Sequence, residues 1–190
     1  MPGVRSAIAA AAIIFLLGCA AEPGSEPLVA PEQATPPPDW VLVTNGAGDL
    51  RMALPPWLVP FDRMTSGIFA NEVVRGGGQG LQLMAEGPTT LDLPPSRDEM
   101  GPWLRRRVEW PGAGPGEIGV ERLPAGDAVV LQRIDRAGTP QAWRLAAYAI
   151  DTPAGIAYLL IDGPPDAWEG REDDVARIAN LLQARRAPTP

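Results

Sequence analysis

Prolines decide where the elements of this chain have to stop. A proline has no amide hydrogen to donate and clashes with the turn before it, so paired prolines end strands and helices alike. Such pairs stand at Pro55-Pro56, Pro94-Pro95 and Pro164-Pro165. A triplet, Pro36-Pro37-Pro38, closes the stretch Ala20–Asp39, where six prolines and almost nothing to bury favour extended polyproline II. At about 3.1 Å per residue that stretch reaches up to roughly 60 Å. One folded unit is therefore expected over 40–186, with residues 19–39 as a flexible tether and 187–190 as a disordered tail. A chain of 190 residues that is 45% hydrophobic has enough apolar material for one such core.

The N-terminus has a separate logic. Arg5 precedes an apolar run from Ala7 to Leu17, too short for a bilayer core of about 30 Å but suited to the central region of a signal peptide. The run ends in Leu16-Leu17-Gly18-Cys19, and Cys19 is the single cysteine of the chain. These four residues are similar to the lipobox of bacterial lipoproteins. The resemblance implies a signal peptide over 1–18 and a diacylglyceryl thioether on Cys19, often with a further N-acyl chain such as palmitate. The alternatives are a buried structural thiol, or an uncleaved anchor that differs only in processing. With one cysteine there is no disulfide framework, and the core must hold itself together. The expected location is exported and lipid-anchored, on the outer face of the cytoplasmic membrane or on an outer membrane.

Charge and composition narrow the chemistry. All sixteen basic residues are arginine, and there is neither Lys nor His. Catalytic pairs of Ser or Cys with His, His metal ligands, phosphate-loop lysines and Schiff bases are thereby excluded. Loss of Arg5 with the signal peptide leaves fifteen Arg against twenty-three acids, a formal charge of −8. A body that negative gains nothing from nucleic acid or anionic lipid, so membrane affinity has to come from the lipid on Cys19. No cofactor, metal site or catalytic residue is expected.

From Trp40 the pattern reads strand, turn, strand. Trp40–Thr44 is apolar, Asn45–Gly48 is a turn, and Asp49–Leu54 alternates with Leu50, Met52 and Leu54 on one face and Asp49 and Arg51 on the other. Ser66–Val74 and Leu81–Glu86 flank Gly76–Gly80, which fits a hairpin connection. No Lys-Ser/Thr and no helix follow that glycine run, so it is not a phosphate loop. Later strands are expected at Glu117–Leu123, with Ile118 and Val120 inward and Glu117 and Glu121 outward, then at Ala128–Asp135, Gln141–Asp151 and Ile156–Asp162. Connections of about four residues make them antiparallel neighbours.

Two helices are expected. Ser96 and Glu99 have capping-box spacing, although Pro102 argues for a start at Gly101; in either register Leu104 and Val108 share a face. The second helix places Val175, Ile178, Ala179 and Leu182 on one stripe, with Glu172, Asp173 and Asp174 in its first turn and Arg185 and Arg186 in its last. Adjacent acids on a helix diverge by about 100°, so the triplet suits the helix dipole better than a cation.

Candidate binding residues are few. Arg105-Arg106-Arg107 could grip an acidic partner or be a solvated face with one internal ion pair. Six tryptophans, Trp40, Trp57, Trp103, Trp110, Trp143 and Trp168, could bind a sugar, lipid or peptide or simply pack. Bounded by prolines and lacking alternation, Trp57–Phe61 is the best surface candidate. The possible binding surface is thus Trp57, Phe61, Arg105 and Arg106.

The order of elements resembles the PsbP-like α-β-α sandwich, a fold of photosystem extrinsic subunits, a Ran-binding transport factor and LpqN-type bacterial lipoproteins. The residues that carry it are Trp143–Tyr148, Gly155–Ile161 and the Val175–Leu182 helix, with Ser66–Asn71 in the first half. The resemblance implies an α+β fold, an antiparallel sheet of about six to eight strands packed with two helices. It also implies a non-enzymatic module that binds an envelope protein or assists assembly. Two alternatives are a carrier or sensor of an apolar small molecule, and a carboxylate-based hydrolase using a pair such as Asp162 and Asp166.

Overall fold

The computed structural model describes residues 35–60, 73–89, 91, 95–111 and 113–185. The signal-peptide and lipobox residues, most of the tether, Phe61, the expected strand start at Ser66–Asn71, Arg186 and the tail lie outside the described residues. The elements in chain order are β1 (Val41–Thr44), β2 (Leu50–Leu54), β3 (Val59–Pro60), β4 (Val73–Gly78) and β5 (Leu81–Glu86). A turn of 3-10 helix over Arg97–Glu99 runs into α1 (Met100–Arg107). Then come β6 (Glu117–Leu123), β7 (Gly126–Asp135), β8 (Trp143–Thr152), β9 (Gly155–Gly163), α2 (Pro165–Trp168), α3 (Glu172–Asn180) and β10 (Gln183–Ala184).

The fold class is α+β, as expected, with the strands divided between two antiparallel sheets. The large one has the order β3-β4-β5-β9-β8-β7-β6. Rather than joining it, β1 and β2 pair with β10 in a separate three-stranded sheet. Helix α1 covers one face of the large sheet, setting Met100, Trp103, Leu104 and Val108 against Leu131, Leu145, Ala147 and Tyr158. The small sheet, α2 and α3 cover the other face, where Leu50, Met52, Trp168, Val175 and Ile178 meet Val130, Ala146, Ile150 and Leu159.

Both faces of β8 and β9 are therefore dry, and the run from Leu145 to Ile150 is buried without a break. A strand covered on both sides has no polar face to alternate with. Its alanines at 146, 147 and 149 keep those contacts close.

Some local expectations change. The turn joining β4 to β5 is only Gln79-Gly80, both at positive φ, as a tight two-residue hairpin requires. Gly76 to Gly78 belong to the strand itself: a Cβ on Gly78 would stand 1.7 Å from the Trp57 carbonyl oxygen. The glycines thus admit the chain before β3. Helix α1 starts at Met100 and holds Pro102 in its first turn, where no amide is missed. Ser96 Oγ donates to Glu99 Oε2 at 2.9 Å instead of making the reciprocal backbone bonds of a capping box. Pro165 opens α2, a four-residue helix that the sequence reading did not include.

Helix α3 ends at Asn180, short of Leu182, so Arg185 lies in neither its last turn nor any helix. The Arg185 amide donates to Asp49 O at 2.9 Å and its Nε to Gly48 O at 2.7 Å, beside the pairing of β10 with β2. Asp49 is also not on a solvated face. It is fully buried, accepting hydrogen bonds from Asn45 Nδ2 at 2.6 Å and from the Thr89 amide at 2.7 Å.

Candidate functional site

Trp57 is half-buried against the core beneath the small sheet, with its Nε1–H donating to Asp174 Oδ2 at 2.8 Å. The Arg171 guanidinium lies 5.4 Å from the centre of its ring. The indole is thus an internal strut between the loop before β3 and α3. The other tryptophans are likewise half or fully buried, which favours packing over a surface aromatic cluster.

The three arginines at the end of α1 part company. Arg105 and Arg106 are exposed, and Arg105 Nη1 donates to the Pro115 carbonyl. Arg107 turns inward, pairing with Glu86 and lying 5.2 Å from the Trp103 ring centre and 4.7 Å from that of Tyr158. The two rings meet edge to face at 5.6 Å. The run thus combines two exposed arginines with one internal ion pair, and the ion-paired member is the arginine placed by helical spacing beside Trp103. A second buried pair, Arg133 with Asp135 at 2.9 Å, holds the loop after α1 to β7. Arg133 Nη2 donates to Val108 O, and Asp135 Oδ1 accepts from the Gly114 amide.

The acids do not converge. Along β9, Ile156 and Tyr158 face α1, while Ala157, Leu159 and Ile161 face the opposite core. Asp162 shares the Tyr158 side by strand alternation, whereas α2, which carries Asp166, packs on the other. Asp166 itself is exposed, and its Oδ1 accepts from the Ala167 amide at 3.0 Å. Burial pushes the Asp162 carboxyl above the usual carboxylate range, against a hydrogen bond from the Trp143 side chain. The acidic triplet also divides: Glu172 pairs with Arg144 at 3.1 Å, Asp174 accepts from Trp57, and Asp173 is exposed. Among the described residues no three acids or cysteines are grouped to hold a metal ion.

One border of the large sheet is exposed along most of its length. Strand β6 is the last in the order, and every residue from Glu117 to Arg122 is exposed. Ile118 and Val120, expected inward, are 38% and 77% exposed; a Cβ on Gly101 of α1 would stand 3.5 Å from the Ile118 side chain, so the helix comes up to Ile118 and leaves Val120 uncovered. Alternation in the sequence tells which residues share a face; it does not tell whether anything covers that face.

On the opposite face, between β6 and the start of α3, lies a cavity of about 130 Å³. Its lining includes Glu121, Gln132, Arg144, Tyr148, Trp168 and Glu172. The Arg144 guanidinium is stacked 4.5 Å from the centre of the Trp168 ring and paired with Glu172. Burial, and then the nearby Glu121 charge, push the Tyr148 hydroxyl up to about 12, so it stays protonated. A second cavity, about 180 Å³, lies between the Pro124-Ala125 turn and the end of α3. Both fall below the usual range of small-molecule sites, roughly 300–1,000 Å³.

No protein-family model matches the chain, and neither does any curated protein. Among solved structures, the chain is similar to the solution structure of PsbP from the cyanobacterium Synechocystis. The TM-score is 0.51 at 10% identity, over 80% of this chain and 96% of that one. A Pseudomonas aeruginosa protein of unknown function aligns with a TM-score of 0.44 and 14% identity, over 79% of this chain and 99% of that one. The first of these likenesses establishes the PsbP-like fold and nothing narrower.

Proposed function

We propose that this chain is a non-enzymatic lipoprotein of the cell envelope, held to a membrane by acyl chains on Cys19, whose folded unit binds a protein partner or assists its assembly. The observation that carries the reading is Leu16-Leu17-Gly18-Cys19 at the end of an eleven-residue apolar run. Three features support it. The proline-rich stretch from Ala20 to Asp39 is long enough to hold the folded unit away from the bilayer. Of the acids singled out for chemistry, Asp162 and the helix that carries Asp166 lie toward opposite faces of the sheet, and Glu172 and Asp174 serve contacts with Arg144 and Trp57. The fold of this chain buries both faces of its central strands and, among the described residues, leaves the β6 border open for contact.

The test is Cys19→Ser in the native envelope. The parent chain is expected in the membrane fraction, with an N-terminal peptide heavier by its acyl groups. The variant is expected to lose that mass and leave the membrane. Unchanged partitioning, or an unmodified Cys19 in the parent, overturns the reading.

A further inference from the structure

The two borders of the large sheet are built differently. At one end β3 is only two residues long and contains Pro60, which offers no amide to a neighbour. Short strands and prolines are how sheet borders are protected from pairing. At the other end β6 extends for seven residues with no proline, about 24 Å of backbone with one side unpaired among the described residues. Its register with β7 assigns the side chains. Glu117, Gly119 and Glu121 lie toward the α3 side, whereas Ile118, Val120 and Arg122 lie toward the α1 side. Arg122 is already paired with Asp127, leaving Ile118 and Val120 as the apolar offering of that side.

From this we infer that β6 is a docking strand for an extended, basic segment of the partner protein, which adds as an eighth strand. The segment's alternate side chains would be basic opposite Glu117 and Glu121 and apolar opposite Ile118 and Val120. The basic side chain beside Glu121 enters the 130 Å³ cavity. The inference rests on the proposed partner-binding role and supplies its site and the chemistry of what it binds. In this mode main-chain hydrogen bonds give affinity, and pockets for alternate side chains give specificity. The cavity suits that part: Glu121 and Glu172 are its acids, and its one cation, Arg144, is neutralised by Glu172 and stacked on Trp168.

Charge argues against the other occupants. A second copy pairing antiparallel through a two-fold axis at Gly119 sets Glu117 against Glu121 twice. Moving the axis to Val120 sets Ile118 against Arg122 twice. The chain's own leading stretch, with six prolines in Ala20–Asp39, lacks the amides a strand needs.

The experiment uses the full chain and three fluorescent octapeptides: one alternating lysine and valine, one alternating glutamate and valine, and one with lysines and valines in two blocks. Anisotropy is expected to show the alternating basic peptide binding at least about tenfold tighter than either other. Hydrogen exchange at residues 117–123 is expected to slow on binding. The double variant Glu117→Lys/Glu121→Lys changes only exposed side chains and is expected to reverse the preference toward the glutamate peptide.

Three outcomes overturn the inference. One is equal binding of the block and alternating peptides, which is attraction to an acidic body alone. Another is unchanged preference in the double variant. The third is a concentration-dependent dimer abolished by Ile118→Lys, which gives the strand to a second copy. None of these moves the acyl mass on Cys19, so failure here and failure of the lipoprotein reading are told apart.

Discussion

Gly87 passes so close to the buried carboxylate of Asp49 that a Cβ on it would stand 2.2 Å from Asp49 Oδ1. Asp49 ties the β1–β2 turn to the chain after β5 through Asn45 and Thr89, so it has no room to retreat. Gly87→Ala is expected to destabilise the fold by about 1–3 kcal/mol, as overpacking typically does. Urea denaturation with an unchanged slope checks it.

Arg107 and its two neighbours provide an internal comparison. Removing Arg107 leaves Glu86, only 6% exposed, without its cation and takes the guanidinium from between two rings. Arg107→Ala is expected to cost about 3–5 kcal/mol, the usual result of breaking a buried pair from one side. Arg105→Ala and Arg106→Ala are expected to stay within about 0.5 kcal/mol. Equal effects at all three positions in denaturant titrations would refute the assignment.

Alkaline unfolding should report the tyrosines. The chain has two Tyr and no Lys, so few other groups titrate between pH 10 and 12. Burial raises Tyr148 from 10.0 to about 12, and it raises Tyr158 further against the pull of Arg107. Each hydroxyl is held protonated by the fold, so its contribution is complete below pH 10 and is lost as the pH climbs through the folded value. For Tyr148 two pH units amount to about 2–3 kcal/mol. Tyr148→Phe is expected to remove that share of the alkaline loss while leaving the part due to Tyr158.

Asp162 has the same sign at the acid end. Its raised value means that the fold prefers the protonated carboxyl. The contribution is full below the ordinary carboxylate range and is lost as the pH rises through the folded value. At neutral pH the half-buried charge therefore works against folding. Among the described residues its Oδ1 is buried without a hydrogen-bond partner. Asp162→Asn is expected to melt higher than the parent at pH 7 and to lose that advantage at pH 3. Thermal melts at the two pH values decide it.

Periodicity carried much of this fold. The shared face of Leu50, Met52 and Leu54 on β2, the stripe Val175, Ile178, Ala179 on α3 and the stop at Pro55-Pro56 each reflect a local rule that tertiary context left standing. What escaped was long-range. That Gln183-Ala184 would return to β2 depends on a partner more than 130 positions away. The burial of Asp49 depends on Thr89, and the inward turn of Arg107 on Glu86 and Tyr158, none of them close in sequence. The exposure of β6 was hidden for a related reason. The alternation of Ile118 and Val120 tells which side of the sheet they face, whereas coverage of that side is a property of the whole assembly.

Strand β1 is the first strand among the described residues, and the way it is held sets how the folded unit meets a pull from its N-terminal side. It lies at the border of the small sheet, all four of its residues incompletely buried, and pairs with β2 from Val41 opposite Leu54 to Thr44 opposite Arg51. Tension arriving through Asp39 and Trp40 opens the Val41 end first and separates the pairs one after another, as a zip opens. Beyond it, β2 is fastened by β10 and buried at Leu50, Met52 and Leu54. A modest force on that side thus releases the four residues of β1, while the turn behind them, fastened through Asp49 and Arg185, keeps its place with the two cores and the β6 border.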